Sequence, residues 1–280
     1  MKKYYIVNAI LLLIHFCSYT KIIESPYVKT LVNYLRPNTL VVFDIDNTLA
    51  RPPHEVGSDQ WFCYLVDQKL HEGYDKKTAI SCALPLCYYA QFNIPLVPTE
   101  PYIPILTHTL KNDNIYTMAL TSRGFYMAER TNEQLNNIGM YFNMPYKKEG
   151  ELVIPAPEMC FYKYHTIFSG NNDKGEALFT FLDMINYHPD CIIFLDDKLY
   201  NVESVEKAAT TRDVAYIGIR YSGCDELVKN FDYKKAEQQF QALKERNAIS
   251  PQYYDDNTIA SNKYLFPFNY ILYAFMSLFM

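Results

Sequence analysis

The sequence predicts an α/β protein whose parallel sheet is flanked by helices and carries a small helical insertion. Three observations predict it. Leu40-Val41-Val42-Phe43, Ile115-Tyr116-Thr117-Met118-Ala119-Leu120 and Cys191-Ile192-Ile193-Phe194-Leu195 are short apolar runs, of the length of strands buried on both faces. Helical patterns lie between these runs, the order produced when crossover helices join parallel strands. Every run stops at polar residues: Asp44 and Asp46, Thr121-Ser122-Arg123, and Asp196-Asp197. Ligands of open α/β sheets bind just beyond the carboxyl ends of the strands, so these residues stand where chemistry is expected. With one residue between them, the Asp44 and Asp46 carboxylates can converge on one cation or one phosphate.

A chain of 280 residues holds one large domain or a core with a cap. Hydrophobic residues at 49% and charged residues at 20% are those of a globular protein able to bury a sizeable core. The formal net charge of −5 argues against a nucleic-acid partner, which needs a clustered basic surface.

In chain order, Lys2 and Lys3 precede an apolar stretch over residues 4–16, then Cys17-Ser18-Tyr19-Thr20, the layout of a secretory signal peptide. Residues 1–20 are therefore expected to direct export to the periplasm or beyond the cell. Cys63, Cys82, Cys87, Cys160, Cys191 and Cys224 lie past that leader. Export permits disulfides, and the spacing assigns none and fits no zinc site. Residues 25–35 read as a helix, broken by Pro37 and Asn38. Residues 50–99 are too many for a plain loop. They hold helical patterns at 58–70 and 76–92, the first with Ser58 placed to cap it. Residues 100–110 read as a helix with Pro101 in its first turn, and 124–138 as another.

Residues 151–154 and 164–168 read as two short strands of a hairpin. Residues 174–185 read as a helix capped from Asn171-Asn172-Asp173, 201–209 as a helix, 214–219 as a strand and 224–246 as a charged, solvated helix. Residues 264–280 are almost wholly apolar and aromatic. They fall short of the ~20 residues of a spanning helix and are interrupted by Pro267 and Asn269. That tail is expected to pack or to associate weakly with a membrane surface.

The series Asp44-x-Asp46-x-Thr48, Thr121-Ser122, Lys174 and Asp196-Asp197, in this order, resembles the haloacid dehalogenase (HAD) superfamily of aspartate-nucleophile hydrolases. The resemblance covers about residues 37–218. Gly57-Ser58-Asp59-Gln60-Trp61-Phe62 makes the chain similar to a bacterial group of exported or effector-like members of that superfamily whose function is unknown. The resemblance implies a Rossmann-like HAD core at 21–49 and 100–246, a helical cap at 50–99 and an apolar tail at 247–280.

It also implies a Mg²⁺-dependent phosphatase acting on a small phosphorylated substrate. Asp44 would attack phosphorus to give an acyl phosphate, and Asp46 would protonate the leaving oxygen and then activate water. Thr121 would hold a phosphoryl oxygen, and Lys174 would neutralise the nucleophile and the transferring group. Mg²⁺ prefers hard oxygen ligands, and the matching positions are the Asp44 carboxylate, the Asp46 backbone carbonyl and the Asp196 carboxylate. Asp197 either supports these ligands or caps the next helix, with Asn201 beside it. Arg123 meets phosphate or the surface, and Thr48 braces the loop. Trp61 and Phe62 are the cap aromatics expected to touch substrate. His54, His71, His108, His165 and His188 have no ligand-like spacing. The acid at position 46 fits phosphoester chemistry rather than carbon–halogen cleavage. A phosphotransferase would share every residue, and an exported interaction protein binding through its aromatics is the non-enzymatic alternative.

Overall fold

The computed structural model describes residues 19–146 and 150–249. Most of the leader expected at 1–20, as far as residue 18, and most of the tail expected at 247–280, from residue 250, lie outside the described residues. From the N-terminus run β1 (Thr20–Ser25), a 3-10 turn at Val28–Tyr34, β2 (Thr39–Phe43), β3 (Ala50–Arg51), α1 (Asp59–His71), α2 (Lys76–Asn93), β4 (Val97–Pro98), α3 (Ile103–Asn112) and β5 (Tyr116–Thr121). There follow α4 (Ala128–Asn137), β6 (Leu152–Val153), β7 (Phe161–Lys163), β8 (Thr166–Phe168), α5 (Lys174–Met184) and β9 (Cys191–Asp196). The last elements are α6 (Leu199–Thr211), β10 (Ala215–Tyr221), α7 (Asp225–Lys229) and α8 (Tyr233–Ile249).

Eight strands form one sheet in the order β1-β10-β9-β2-β5-β8-β7-β6. The ladders from β1 through to β8 are parallel, and β7 runs antiparallel to both of its neighbours. The three apolar runs of the sequence are the central strands β2, β5 and β9. Side chains alternate between faces with a period of two, and both faces are covered. Leu40, Val42 and Phe194 pack with Leu178 and Phe181 of α5 and Val202 of α6. Val41, Phe43 and Ile193 pack with Leu106 and Leu110 of α3 and Leu135 of α4. The result is the mixed α/β fold with a mostly parallel sheet that the sequence predicts.

Several elements differ from the sequence expectation. Residues 25–35 are not an α-helix: β1 ends at Ser25 and a 3-10 turn covers Val28–Tyr34. β1 pairs along β10, from Thr20 opposite Tyr216 to Ser25 opposite Tyr221. α3 starts at Ile103, with Pro104 rather than Pro101 in its first turn. The region after β5 opens with a 3-10 turn, Phe125–Met127, before α4. Three short strands stand where two were expected, and the hairpin is β7–β8. Its loop residues, Tyr164 and His165, have φ of 52° and 56°, the paired left-handed conformation of a two-residue hairpin loop. The last helical interval divides into α7 and α8.

The insertion leaves and rejoins the core through a short antiparallel stem, Ala50 opposite Pro98 and Arg51 opposite Val97. Ser58 caps α1 as expected, its side chain accepting from Trp61 N at 3.1 Å. Asp75 caps α2, accepting from Lys77 N and Thr78 N. α2 has apolar residues on nearly every side, and it packs on both α1 and α8. Trp61 is 1% exposed and its ring lies 5.0 Å from that of Phe240 in α8. Tyr64 meets Phe231, and Tyr89 meets Phe240 edge-on. The expectation that Trp61 touches substrate is therefore corrected: it anchors α8 to the cap. Phe62 is half-buried against the same helices. α8 is likewise not a solvated helix, since Ala236 and Leu243 are buried in this cluster. The helical insertion packs with a third helix, α8, from beyond the last strand of the sheet. Every cysteine among the described residues is free, Cys63 exposed and Cys87, Cys160, Cys191 and Cys224 buried.

Candidate active site

β2 delivers Asp44 to the carboxyl edge of the sheet, where Asp44 N donates to Leu195 O at 2.8 Å and prolongs the pairing with β9. The chain then turns sharply. Ile45 O accepts from Leu49 N and Ala50 N, both at 3.0 Å, and Asn47 adopts φ 58°, a conformation Asn tolerates better than most side chains. Thr48 braces this turn: its Oγ1 donates to Asp44 Oδ2 at 3.3 Å and accepts from Asp197 N at 3.0 Å. That contact ties the loop after β2 to the loop after β9.

Lys174 comes from the first turn of α5, which Asp173 caps by accepting from Glu176 N at 2.9 Å. Gly175 lets that turn approach α6, because a Cβ there would stand 2.3 Å from Ser204 O. The Lys174 ammonium lies 2.6 Å from Asp44 Oδ1 and 2.7 Å from Asp196 Oδ2. Asn201 Nδ2 donates to both Asp196 oxygens at 3.0 Å, and Lys198 N donates to Asp196 Oδ1 at 2.8 Å. Asp196 is thus the residue that receives the backbone donor at the start of α6, and Asp197 does not cap that helix. Asp197 instead accepts from Lys198 Nζ at 3.2 Å, and the same ammonium reaches Asp59 of α1 at 3.0 Å. Lys198 thereby joins the core to the cap.

Carboxylate oxygens of Asp44, Asp196 and Asp197 all lie within 4.8 Å of one another. All three residues are buried. Burial pushes the Asp44 carboxyl well above its ordinary pKa; Lys174 opposes this, and Asp196 and Asp197 reinforce it. Burial also pushes Asp197 up to about 6, against the pull of Lys198 and with the repulsion of Asp196 and Asp59. Burial works to lower the Lys174 pKa, but Asp196 and Asp44 outweigh it and keep the ammonium charged. Lys174 serves Asp44 and Asp196, and Lys198 serves Asp197 and Asp59, so four carboxylates share two ammoniums and negative charge on hard oxygen donors is in excess. That donor set suits a hard divalent cation.

Asp46 belongs to a separate pair. Arg123 Nε donates to Asp46 Oδ2 and Nη2 to Asp46 Oδ1, each at 2.8 Å. Arg123 is 6% exposed, so its surface reading is corrected. Its remaining donor, Nη1, reaches Thr131 Oγ1 at 3.1 Å and Gln134 Oε1 at 2.9 Å on α4. Since the Asp46 carboxylate is taken by the guanidinium, any part Asp46 has in holding a cation falls to its backbone carbonyl. Thr121 is buried at the end of β5, and its Oγ1 accepts from Arg123 N at 3.1 Å. The predicted residues therefore gather at one sheet edge in two groups, Asp44–Lys174–Asp196–Asn201 and Asp46–Arg123.

Sequence reasoning missed Lys198, Thr131, Gln134 and Ser169. Ser169 donates from both N and Oγ to Thr121 O, at 2.8 and 2.9 Å, and fixes the end of β5. Thr131 and Gln134 had a signal: both are polar residues on the buried stripe of α4 that also holds Ala128 and Leu135.

The model of the family described as "Protein of unknown function (DUF2608)" matches residues 24–254. The chain is 27% identical over 188 residues to a "Putative outer membrane protein" of Chlamydia trachomatis serovar D, covering 66% of this chain and 69% of that one. It is 26% identical over 189 residues to a protein of the same description from Chlamydia muridarum, covering 68% and 71%. Among solved structures it is similar to a "Phospho-Aspartyl Intermediate Analogue of Phosphoserine phosphatase", with 16% identity and a TM-score of 0.35 over 69% of this chain and 98% of that one. A "putative beta-phosphoglucomutase from Thermotoga maritima" gives 13% identity and a TM-score of 0.35 over 69% and 99%.

Proposed function

The chain belongs to the DUF2608 family of proteins of unknown function, so its activity has to be argued from its own side chains, and we propose that it is a Mg²⁺-dependent phosphatase of the HAD type. The observation that carries this reading is the pair of carboxylates at the end of β2, each with its own cationic partner. Asp44 is buried against an ammonium, while Asp46 is held by a guanidinium and keeps 22% of its side chain exposed. Two neighbouring acids in different environments suit two different roles.

Lys174 holds Asp44 Oδ1, which leaves Oδ2, with only the long Thr48 contact, as the attacking oxygen. Attack forms an Oδ2–P bond and breaks the bond from phosphorus to the leaving oxygen. To supply the proton that the leaving oxygen takes up, Asp46 has first to take one from solvent on an oxygen that Arg123 has released. Asp46 then removes a proton from water as that water attacks phosphorus, the acyl phosphate bond breaks, and Asp44 returns as a carboxylate. Lys174 would offset negative charge through both steps, and Thr121, at the end of the neighbouring strand, would meet a phosphoryl oxygen. Asp44, Asp196 and the Asp46 carbonyl would hold Mg²⁺, with Asp197 beside them; the cation would screen the repulsion between carboxylate and phosphate. A phosphotransferase would use the same first half-reaction. The leader and the relatives' descriptions as outer membrane proteins support export to the periplasm or beyond. Among the described residues no helix is long and apolar enough to cross a membrane.

The purified chain is expected to hydrolyse 4-nitrophenyl phosphate with Mg²⁺, to stop on chelation and to recover on adding Mg²⁺ back. Absence of turnover over a panel of phosphomonoesters would refute the reading. Cation binding also has a pH signature. Asp44 and Asp197 have folded-state pKa values above their unfolded ones. The native chain therefore holds more protons than the unfolded chain through a window whose Asp197 part runs from about pH 4 to about 6. Stability without cation falls as pH rises through that window. Mg²⁺ binds the ionised form, so it should raise Tm more at about pH 7.5 than at about pH 5. Thermal melts with and without Mg²⁺ decide this, and equal shifts at both pH values would count against the carboxylate site.

A further inference from the structure

We propose that Lys198 opposes a divalent cation at Asp197, so that filling the cation site loosens the seat of cap helix α1. The inference rests on the cation site of the phosphatase reading and adds a residue that the mechanism does not use. Lys198 Nζ stands between two carboxylates, Asp197 Oδ2 at 3.2 Å in the core and Asp59 Oδ2 at 3.0 Å in the first turn of α1. Asp197 is also one of the three acids whose oxygens lie within 4.8 Å of one another. One carboxylate is therefore shared between the acid cluster and a positive charge that also holds the cap.

The two ammoniums of the site differ in what they can do when a cation arrives. The Lys174 side chain is 2% exposed, and both its partners, Asp44 and Asp196, belong to the core. It cannot move without leaving buried charge unpaired, which is costly. Lys198 keeps 31% of its side chain exposed, and its second partner lies outside the cluster. On its flexible stem it can give up Asp197 and stay paired with Asp59. A cation and an ammonium on one carboxylate are like charges, and their repulsion is strong where water is partly excluded. Cation binding thus favours the state in which Lys198 sides with the cap alone, and that state has lost a tie between α1 and the core. The same turn of α1 also reaches the loop after β2, but through a long neutral contact, Asn47 Nδ2 to Gln60 Oε1 at 3.3 Å. By linkage, a contact that the cation weakens must weaken cation binding in return by the same factor.

Calorimetric titration of the purified chain with MgCl2 reads the cation without any turnover. K198M keeps the length of the stem and removes the charge. It should bind Mg²⁺ about 10-fold more tightly than wild type, within the roughly 5–150-fold range usual for linked sites. D59N leaves Lys198 with Asp197 alone and should weaken Mg²⁺ binding. Loss of one negative charge would weaken it as well, so the double-mutant cycle decides. The factor lost to D59N should shrink in the K198M background, whereas two independent charges would give the same factor in both. Mg²⁺ should also quicken hydrogen exchange of the amides in the first two turns of α1 in wild type, and not in K198M.

Mg²⁺ affinity unchanged or weaker in K198M, or a D59N factor equal in both backgrounds, would make Lys198 a structural tie and overturn the proposal. Unchanged or slower exchange in α1 of the wild type on adding Mg²⁺ would overturn it too. If K198M does not fold, K198Q keeps a donor for Asp197 without the charge, and the same criteria apply to it. A wild-type chain that binds no Mg²⁺ overturns the inference together with the cation site. Mg²⁺ binding without turnover of any phosphomonoester fails the phosphatase reading alone.

Discussion

Replacing Asp44 with Asn is expected to abolish phosphatase turnover while leaving the protein folded and at least as stable. The loss should be on the order of 10⁴-fold or more, the scale reached when a covalent nucleophile or its base is deleted. Asn is nearly isosteric and can still accept from Lys174 through its amide oxygen, while its amide nitrogen replaces Oδ2 and would donate to Thr48 Oγ1 instead. It carries no charge to desolvate, and burial is the main reason the Asp44 carboxyl resists ionisation. Removing that penalty trades function for stability, the exchange expected when a destabilised active-site group is neutralised. Turnover of 4-nitrophenyl phosphate and a thermal melt in Mg²⁺-free buffer check both halves. Full activity in the variant would end the aspartyl-phosphate mechanism.

Lys174→Ala should damage both properties. Turnover is expected to drop about 10²–10³-fold, as when an electrostatic stabiliser is removed from a water-excluded site. The fold should suffer too, because the ammonium is 2% exposed between two buried carboxylates. Breaking a buried pair by deleting one partner typically costs about 3–5 kcal/mol. Mg²⁺ should restore part of the stability, since it neutralises the same carboxylates, and little of the turnover. Lys174→Arg should rescue poorly: the guanidinium is planar and larger than a cavity built for a compact ammonium. Wild-type turnover in folded Lys174→Ala would show that Lys174 only balances charge.

The central strands and their terminal acids were legible because burial on both faces demands unbroken apolar runs, and because each run ends in an abrupt change of polarity. Lys174 was legible by its place before a helical stripe. Other features had no such local mark. β1 has its main support in a ladder to β10, a partner far along the chain. α8 shows few apolar residues among its charges, so its stripe of Ala236, Phe240 and Leu243 reads as a solvated helix until Trp61 is placed against it. Arg123 follows Thr121-Ser122 as any surface arginine could. Its burial depends on Thr131 and Gln134, which come into reach only once α4 folds back along the sheet. Trp61 misled for a related reason: a large aromatic near a candidate site has the same sequence signature whether it faces a ligand or a neighbouring helix.

The pairing of β1 with β10 has a kinetic consequence. The first described strand is completed only by the last strand of the sheet, from Thr20 opposite Tyr216 to Ser25 opposite Tyr221, so the contact order of that edge is high. Contacts so distant along the chain form slowly, because closure of the loop has to precede any gain from the ladder. During synthesis from the N-terminus, Ile22 and Ile23 wait without their ladder partners until Gly218 and Ile219 are available. A sheet closed in this order keeps its nascent chain from completing a core early. If the chain is exported before it folds, as proposed above, that delay is an advantage.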